Sequence, residues 1–226
     1  MKKYIFRFIN LMFGLVLYAI GIAVTLRANI GYAPWDAFHA GLSQKAGFSF
    51  GTASIIVGVF VGVLVMVWGE KIGLGTILNM VLIGIYIDII LFTGILPLSK
   101  NYATGIPMLL AGLFIIAVGT YFYIKSGFGA GPRDSLMVVM NRKTRIPVGV
   151  CRIIVELTVT FAGWALGGMI GIGTVISGVA IGFFVQLVFA VLKFEPASVQ
   201  HETLRQTYQN IFTQRRGGAK DAKGSE

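Results

Sequence analysis

Six runs of apolar residues, each about twenty long, dominate this chain. They lie near residues 7–26, 50–69, 73–92, 106–125, 147–166 and 171–192. A helix rising about 1.5 Å per residue needs that length to cross the hydrocarbon core of a bilayer. In lipid every backbone N–H and C=O must be bonded internally, so each run reads as a helix. Charged residues make up only 12% of the 226 residues. A soluble domain carries about twice that share. The first run is too long for a signal-peptide core and lacks a small-x-small cleavage site, so it reads as an uncleaved span. The fold class is an all-α polytopic membrane protein.

The net charge of +10 has a topological home. Lys2, Lys3 and Arg7, then Lys71, fall on one side of the membrane with Lys125, Arg133, Arg142, Lys143 and Arg145. The C-terminal Lys193, Arg205, Arg215, Arg216, Lys220 and Lys223 join them, and the other side keeps Arg27, Lys45 and Lys100. Cations concentrate in cytoplasmic loops, so both termini are expected in the cytoplasm. Residues 1–195 form the transmembrane domain, and 196–226 form a basic cytoplasmic tail. In that tail, 197–212 suit a short surface helix and 213–226 a disordered segment that meets lipid or water. This use of the charge leaves no case for nucleic acid. A single cysteine, Cys151, excludes an intramolecular disulfide, and His39 and His201 are too few for a histidine metal cluster. No nucleotide loop or nucleophile elbow is present, so no catalytic residue, metal or cofactor is expected.

Sliding the chain against itself by 98 residues matches 11–92 to 109–190 without a gap, with about 22 of 82 positions identical. The identities include Gly14/Gly112, Gly21/Gly119, Gly31/Gly129, Pro34/Pro132, Asp36/Asp134, Gly51/Gly149 and Gly84/Gly182. Repeat one covers about 7–92 and repeat two about 106–192. Each holds three spans, and an odd number sends the second copy through the membrane in the opposite sense. Two inverted three-helix repeats are therefore expected, with a site near the midplane at their interface.

Three features carry candidate chemistry. The first is Gly31-Tyr32-Ala33-Pro34-Trp35-Asp36, repeated as Gly129-Ala130-Gly131-Pro132-Arg133-Asp134. Glycine permits the turn and proline opens a helix. The helices that follow, 34–46 and 132–143, are too short to span, so they are interfacial or re-entrant. Trp35, Asp36, Arg133 and Asp134 are candidate gate residues, with Asp36 at the outer mouth and Asp134 at the inner one. Trp35 and Trp68 also suit an interfacial aromatic belt, and His39 an interfacial position. The second feature is Gly73-Leu74-Gly75-Thr76, repeated as Gly171-Ile172-Gly173-Thr174. Steps of four residues from these lead through Gly84 to Asp88, and through Gly178 and Gly182 to Gln186, marking a close-packed face. The third is an asymmetry: the small ridge Ser54, Gly58, Gly62 faces Arg152, Glu156 and Thr160 in the other copy. Intramembrane charge costs a few kcal/mol, and Arg152 and Glu156 can pair across one helical turn. Asp88, Arg152, Glu156 and Gln186 are the candidate substrate-binding residues. Asn79 and Ser177 align and suit hydrogen bonds between helices.

The first span, the segment from Gly31 to Asp36 and the entry from Gly73 to Thr76 resemble the YczE/YyaS/YitT family of bacterial integral membrane proteins, and its YczE branch above all. The resemblance covers roughly residues 5–195. It implies a small multi-pass protein of the bacterial cytoplasmic membrane and supplies no catalytic residues. The residues themselves point to a secondary transporter of a small polar or charged solute. A carboxyl group that changes protonation could couple its movement to a proton. A channel, or an accessory protein docking through Arg142–Arg145, is the alternative. The expected partners are an unidentified small molecule or ion and membrane lipid, with a homo-oligomer left open.

Overall fold

The computed structural model describes residues 2–210. Eight α-helices fill the stretch to Val191: α1 (Lys2–Arg27), α2 (Pro34–Ala46), α3 (Phe50–Val67), α4 (Leu74–Thr93), α5 (Tyr102–Ser126), α6 (Pro132–Thr144), α7 (Val148–Ala165) and α8 (Ile172–Val191). Six of them, α1, α3, α4, α5, α7 and α8, are long and apolar enough to cross a membrane. The chain is thus an all-helical, multi-pass membrane protein.

Local sequence explains the boundaries. Pro34 and Pro132 open α2 and α6, where a missing N–H costs nothing. Gly47 closes α2 with a left-handed φ of 71°. Ser49 caps α3 and Asn101 caps α5, each accepting from the N–H three residues on. The turns before the short helices need glycine: φ is 112° at Gly31 and 123° at Gly129.

α1 and α5 cross at the centre, and Leu11, Leu15, Ile22, Leu109 and Leu113 form the core there. Glycines set how closely they approach. A Cβ on Gly14 would lie 2.9 Å from the carbonyl oxygen of Gly119, and one on Gly21 would lie 2.7 Å from that of Gly112. Since Gly14 aligns with Gly112 and Gly21 with Gly119, the contacts are reciprocal. The motif turns repeat the pattern. Gly173 N–H donates to Ile30 C=O at 2.8 Å, and Gly75 N–H donates to Phe128 C=O at 2.7 Å. Around this centre α2 packs on α7 and α6 on α3, while α4 leans on α1 and α8 on α5.

One relationship is not reciprocal. α3 packs on α4, and a Cβ on Gly84 would come within 2.5 Å of the Gly51 carbonyl oxygen. A Cβ on their aligned partners Gly149 and Gly182, on α7 and α8, would meet nothing within 4 Å among the described residues beyond its own helix. Gly178 is equally open. The expectation of a packed Gly178-x-x-x-Gly182 face is therefore wrong: in this arrangement Val175, Val179 and Phe183 on α8 are exposed, as lipid-facing positions are.

After α8 the chain turns at Pro196–Ser198 and runs back beneath the bundle. Glu202 N–H donates to Gly127 C=O and Leu204 N–H to Ile72 C=O, which ties the segment across the end of α5 and the start of α4. Residues 204–210 are helical, as expected for part of 197–212. The expectation for 213–226 lies outside the described residues.

Candidate solute-binding cavity

Both short helices begin in the middle of the bundle. Their N-terminal turns, Pro34–Asp36 and Pro132–Asp134, line one cavity of about 360 Å³. The other walls come from the long helices: Ser54 and Gly58 of α3, Asn79 and Met80 of α4, Arg152 and Glu156 of α7, Ser177 and Ile181 of α8. The first turns of both short helices are enclosed by protein: Trp35 and Asp36 are buried, and so are Pro132 and Ser135. Their broken backbone is covered by protein, the condition under which lipid tolerates it.

The tips touch. The Arg133 guanidinium lies 4.8 Å from the centre of the Trp35 ring and 3.5 Å from His39 Nε2. Asp36 and Asp134 therefore do not stand at opposite mouths, because both face the same central space. Trp35 is no belt residue, and His39, 1% exposed, is no interfacial one. The proline that opens each short helix suits its first position, where no backbone N–H is needed and φ is already helical.

The polar groups differ in how they are satisfied. Arg152 Nε donates to Glu156 Oε1 at 2.8 Å, the pairing expected from their spacing. Tyr123 donates its hydroxyl to Asp134 Oδ2 at 2.8 Å. Asp36 has no such donor. Its Oδ1 is buried without a hydrogen-bond partner among the described residues, and so are His39 Nδ1 and Ser177 Oγ. The 3.9 Å between Asp36 Oδ1 and His39 Nδ1 is too long for a hydrogen bond. The aligned residues explain the contrast: where repeat two has Tyr123, repeat one has Thr25, whose hydroxyl bonds back to Ile22 C=O.

Six of the eight candidate residues thus meet: Trp35, Asp36, Arg133, Asp134, Arg152 and Glu156. Asp88 does not. Its Oδ1 accepts from Gly51 N–H at 2.7 Å and its Oδ2 from the Ser49 hydroxyl, which makes it a cap on the start of α3. Gln186 is exposed on α8, away from the cavity. Following a four-residue step from the glycines carried both residues past the cavity, whose wall lies higher on the same helices. Much of the ridge facing Arg152 is filled: Met80 Cβ would lie 3.5 Å from a Cβ on Gly58, and Met80 Sδ 2.6 Å from one on Gly62. Sequence reasoning missed Tyr123 and Tyr18, which also lines the cavity. Tyr18 and Tyr123 are hydroxyl-bearing aromatics inside apolar spans, the signal that would have found them.

The family model described as "Family of unknown function (DUF6198)" matches residues 5–190. The uncharacterised membrane protein YczE of Bacillus subtilis is 38% identical over 193 residues, covering 83% of this chain and 84% of that protein. An uncharacterised protein of Haemophilus influenzae is 30% identical over 185 residues, covering 80% of this chain and 83% of its own length. YyaS of Bacillus subtilis, also uncharacterised, is 30% identical over 172 residues, or 73% of this chain and 83% of that protein. No solved structure matches. The chain therefore belongs to the YczE/YyaS family of membrane proteins, within the group of unknown function DUF6198.

Proposed function

We propose that this protein is a secondary transporter that carries a small polar or charged solute across the bacterial cell membrane by alternating access. The observation that carries this reading is the aligned glycine pair that is closed in one copy and open in the other. Gly51 and Gly84 hold α3 against α4, while Gly149 and Gly182 leave α7 apart from α8. In a protein of two inverted repeats, exchanging these two states moves the opening from one face of the membrane to the other. The reciprocal contacts of α1 with α5, and of the two motif turns, support the two-fold relation between copies. With both termini in the cytoplasm, the separated start of α7 lies on the inner side, so this arrangement is inward-open.

The solute occupies the cavity between the tips of α2 and α6, and the carrier performs no bond-making chemistry. Arg133, Arg152, Asp36, Asp134 and Glu156 supply charge to a cavity between the membrane spans, where such groups are costly unless used. The test is flux in proteoliposomes. Saturable exchange of a solute, lost when Gly182→Leu props α7 and α8 apart, supports a carrier. Flux that never saturates supports a channel, and absence of flux for every solute that binds supports an accessory role.

A further inference from the structure

We propose that Asp36 and Ser177 form the subsite for an ammonium group, so that the solute is a protonated amine or a zwitterion containing one. The inference rests on the transport reading of the cavity and names the chemistry it recognises. Three carboxylates, Asp36, Asp134 and Glu156, face two guanidinium groups, Arg133 and Arg152. Two carboxylates are already satisfied, Glu156 by Arg152 at 2.8 Å and Asp134 by the Tyr123 hydroxyl at 2.8 Å. Arg133 is engaged with the Trp35 ring and His39. Asp36 is 4% exposed, and its Oδ1 has no hydrogen-bond partner among the described residues. Ser177, 1% exposed, lines the same cavity, and its hydroxyl has no hydrogen-bond partner among the described residues.

Buried polar groups are almost always bonded, so two orphans on one cavity mark where a ligand supplies the missing donors. A carboxylate accepts only, and a hydroxyl can also accept, so the ligand group is one rich in N–H donors. The three carboxylates outnumber the two guanidinium groups, so a positive group is favoured beside Asp36, whether it belongs to a simple amine or to the ammonium end of a zwitterion. An ammonium fits both demands. A carboxylate or phosphate group placed in this subsite meets neither, because it would set a further acceptor and negative charge against Asp36.

The experiment is titration calorimetry of the purified full-length protein in detergent with methylammonium, glycine, tetramethylammonium and acetate. Methylammonium and glycine should bind, and tetramethylammonium, which has the charge but no N–H, should bind at least tenfold more weakly, as should acetate. Asp36→Asn should weaken methylammonium binding roughly tenfold or more, Ser177→Ala about fivefold, and the surface change Glu195→Gln not at all. If Asp36→Asn does not fold, Ser177→Ala decides. Equal binding of tetramethylammonium, unchanged binding in both variants, or no ammonium binding overturns the subsite. Methylammonium binding without flux in proteoliposomes contradicts transport and leaves the subsite intact. Saturable flux of a solute without an amine contradicts the subsite and leaves transport intact.

Discussion

Arg133, at the tip of α6, stacks its guanidinium 4.8 Å from the centre of the Trp35 ring at the tip of α2. The two residues occupy the same place in the two copies, so the contact joins equivalent points at the centre of the molecule. A desolvated cation–π pair of this kind contributes about 1–2 kcal/mol. Trp35→Leu should therefore lower the melting temperature in detergent and separate the helix tips. Arg133→Lys should retain part of the stability, and Arg133→Gln should lose it. A melting temperature unchanged in Trp35→Leu would show that the tips are held by their backbones alone.

The glycine pairs predict opposite outcomes for one substitution. Gly84→Ala puts a methyl against the Gly51 backbone, which cannot yield as a flexible side chain does. Overpacking of this type costs about 1–3 kcal/mol. Gly182→Ala meets nothing within 4 Å and should fold as stably as the parent. Thermal unfolding of the two variants side by side checks this.

At the end of the bundle where α1 begins, Arg7 donates to Glu202 at 2.6 Å and to Ser126 C=O at 2.7 Å. Tyr4 and Thr207 also donate to the Glu202 carboxylate. Burial raises the Glu202 pKa, but the hydrogen bond and charge of Arg7, with Tyr4 and Thr207, outweigh it and hold the group below its ordinary value of 4.5. A depressed carboxyl contributes stability that is present above its unfolded pKa and lost as pH falls through its folded pKa. Attachment of residues 199–207 should thus be complete at neutral pH and weaken below about pH 4.5. Glu202→Gln should loosen it at pH 7 by roughly 1–3 kcal/mol. Limited proteolysis within 196–210 reads the effect, as faster cleavage in the variant and in acid.

Asp88 gives a control on the cavity. It caps α3, so Asp88→Ala should cost about 1–2 kcal/mol of stability. Solute affinity at 20 °C should stay within about twofold of the parent, since the residue does not line the cavity. Affinity measured by calorimetry alongside thermal unfolding separates the two effects.

The helices were legible because each is written in local terms. Apolar length marks the six spans, and Pro34 and Pro132 mark the short ones to within a residue. The spacing of Arg152 and Glu156 foretold their pairing, because four residues on one helix is a local geometry. What the sequence could not locate was the point where the two short helices meet. Asp36 and Asp134 looked like residues of opposite mouths, since nothing local says that both short helices turn their first residues to one cavity. Asp88 and Gln186 looked central because a helical face was followed correctly but too far along. The orphaned state of Asp36 depends on Tyr123 serving only Asp134, a tertiary asymmetry that no spacing rule contains. Gly149 and Gly182 align with a closed pair yet stand apart, since the sequence permits the packing that this arrangement leaves open.

That pair also provides the most direct test of alternating access. Spin labels at Thr52 and Ile85 report the separation of α3 from α4, and labels at the aligned Val150 and Phe183 report that of α7 from α8. Pulsed electron–electron distances in liposomes should show the first pair close and the second apart without solute. In the presence of a transported solute a second population should appear in which the two distances are exchanged. A single distance for each pair, unaltered by any bound solute, would contradict the account.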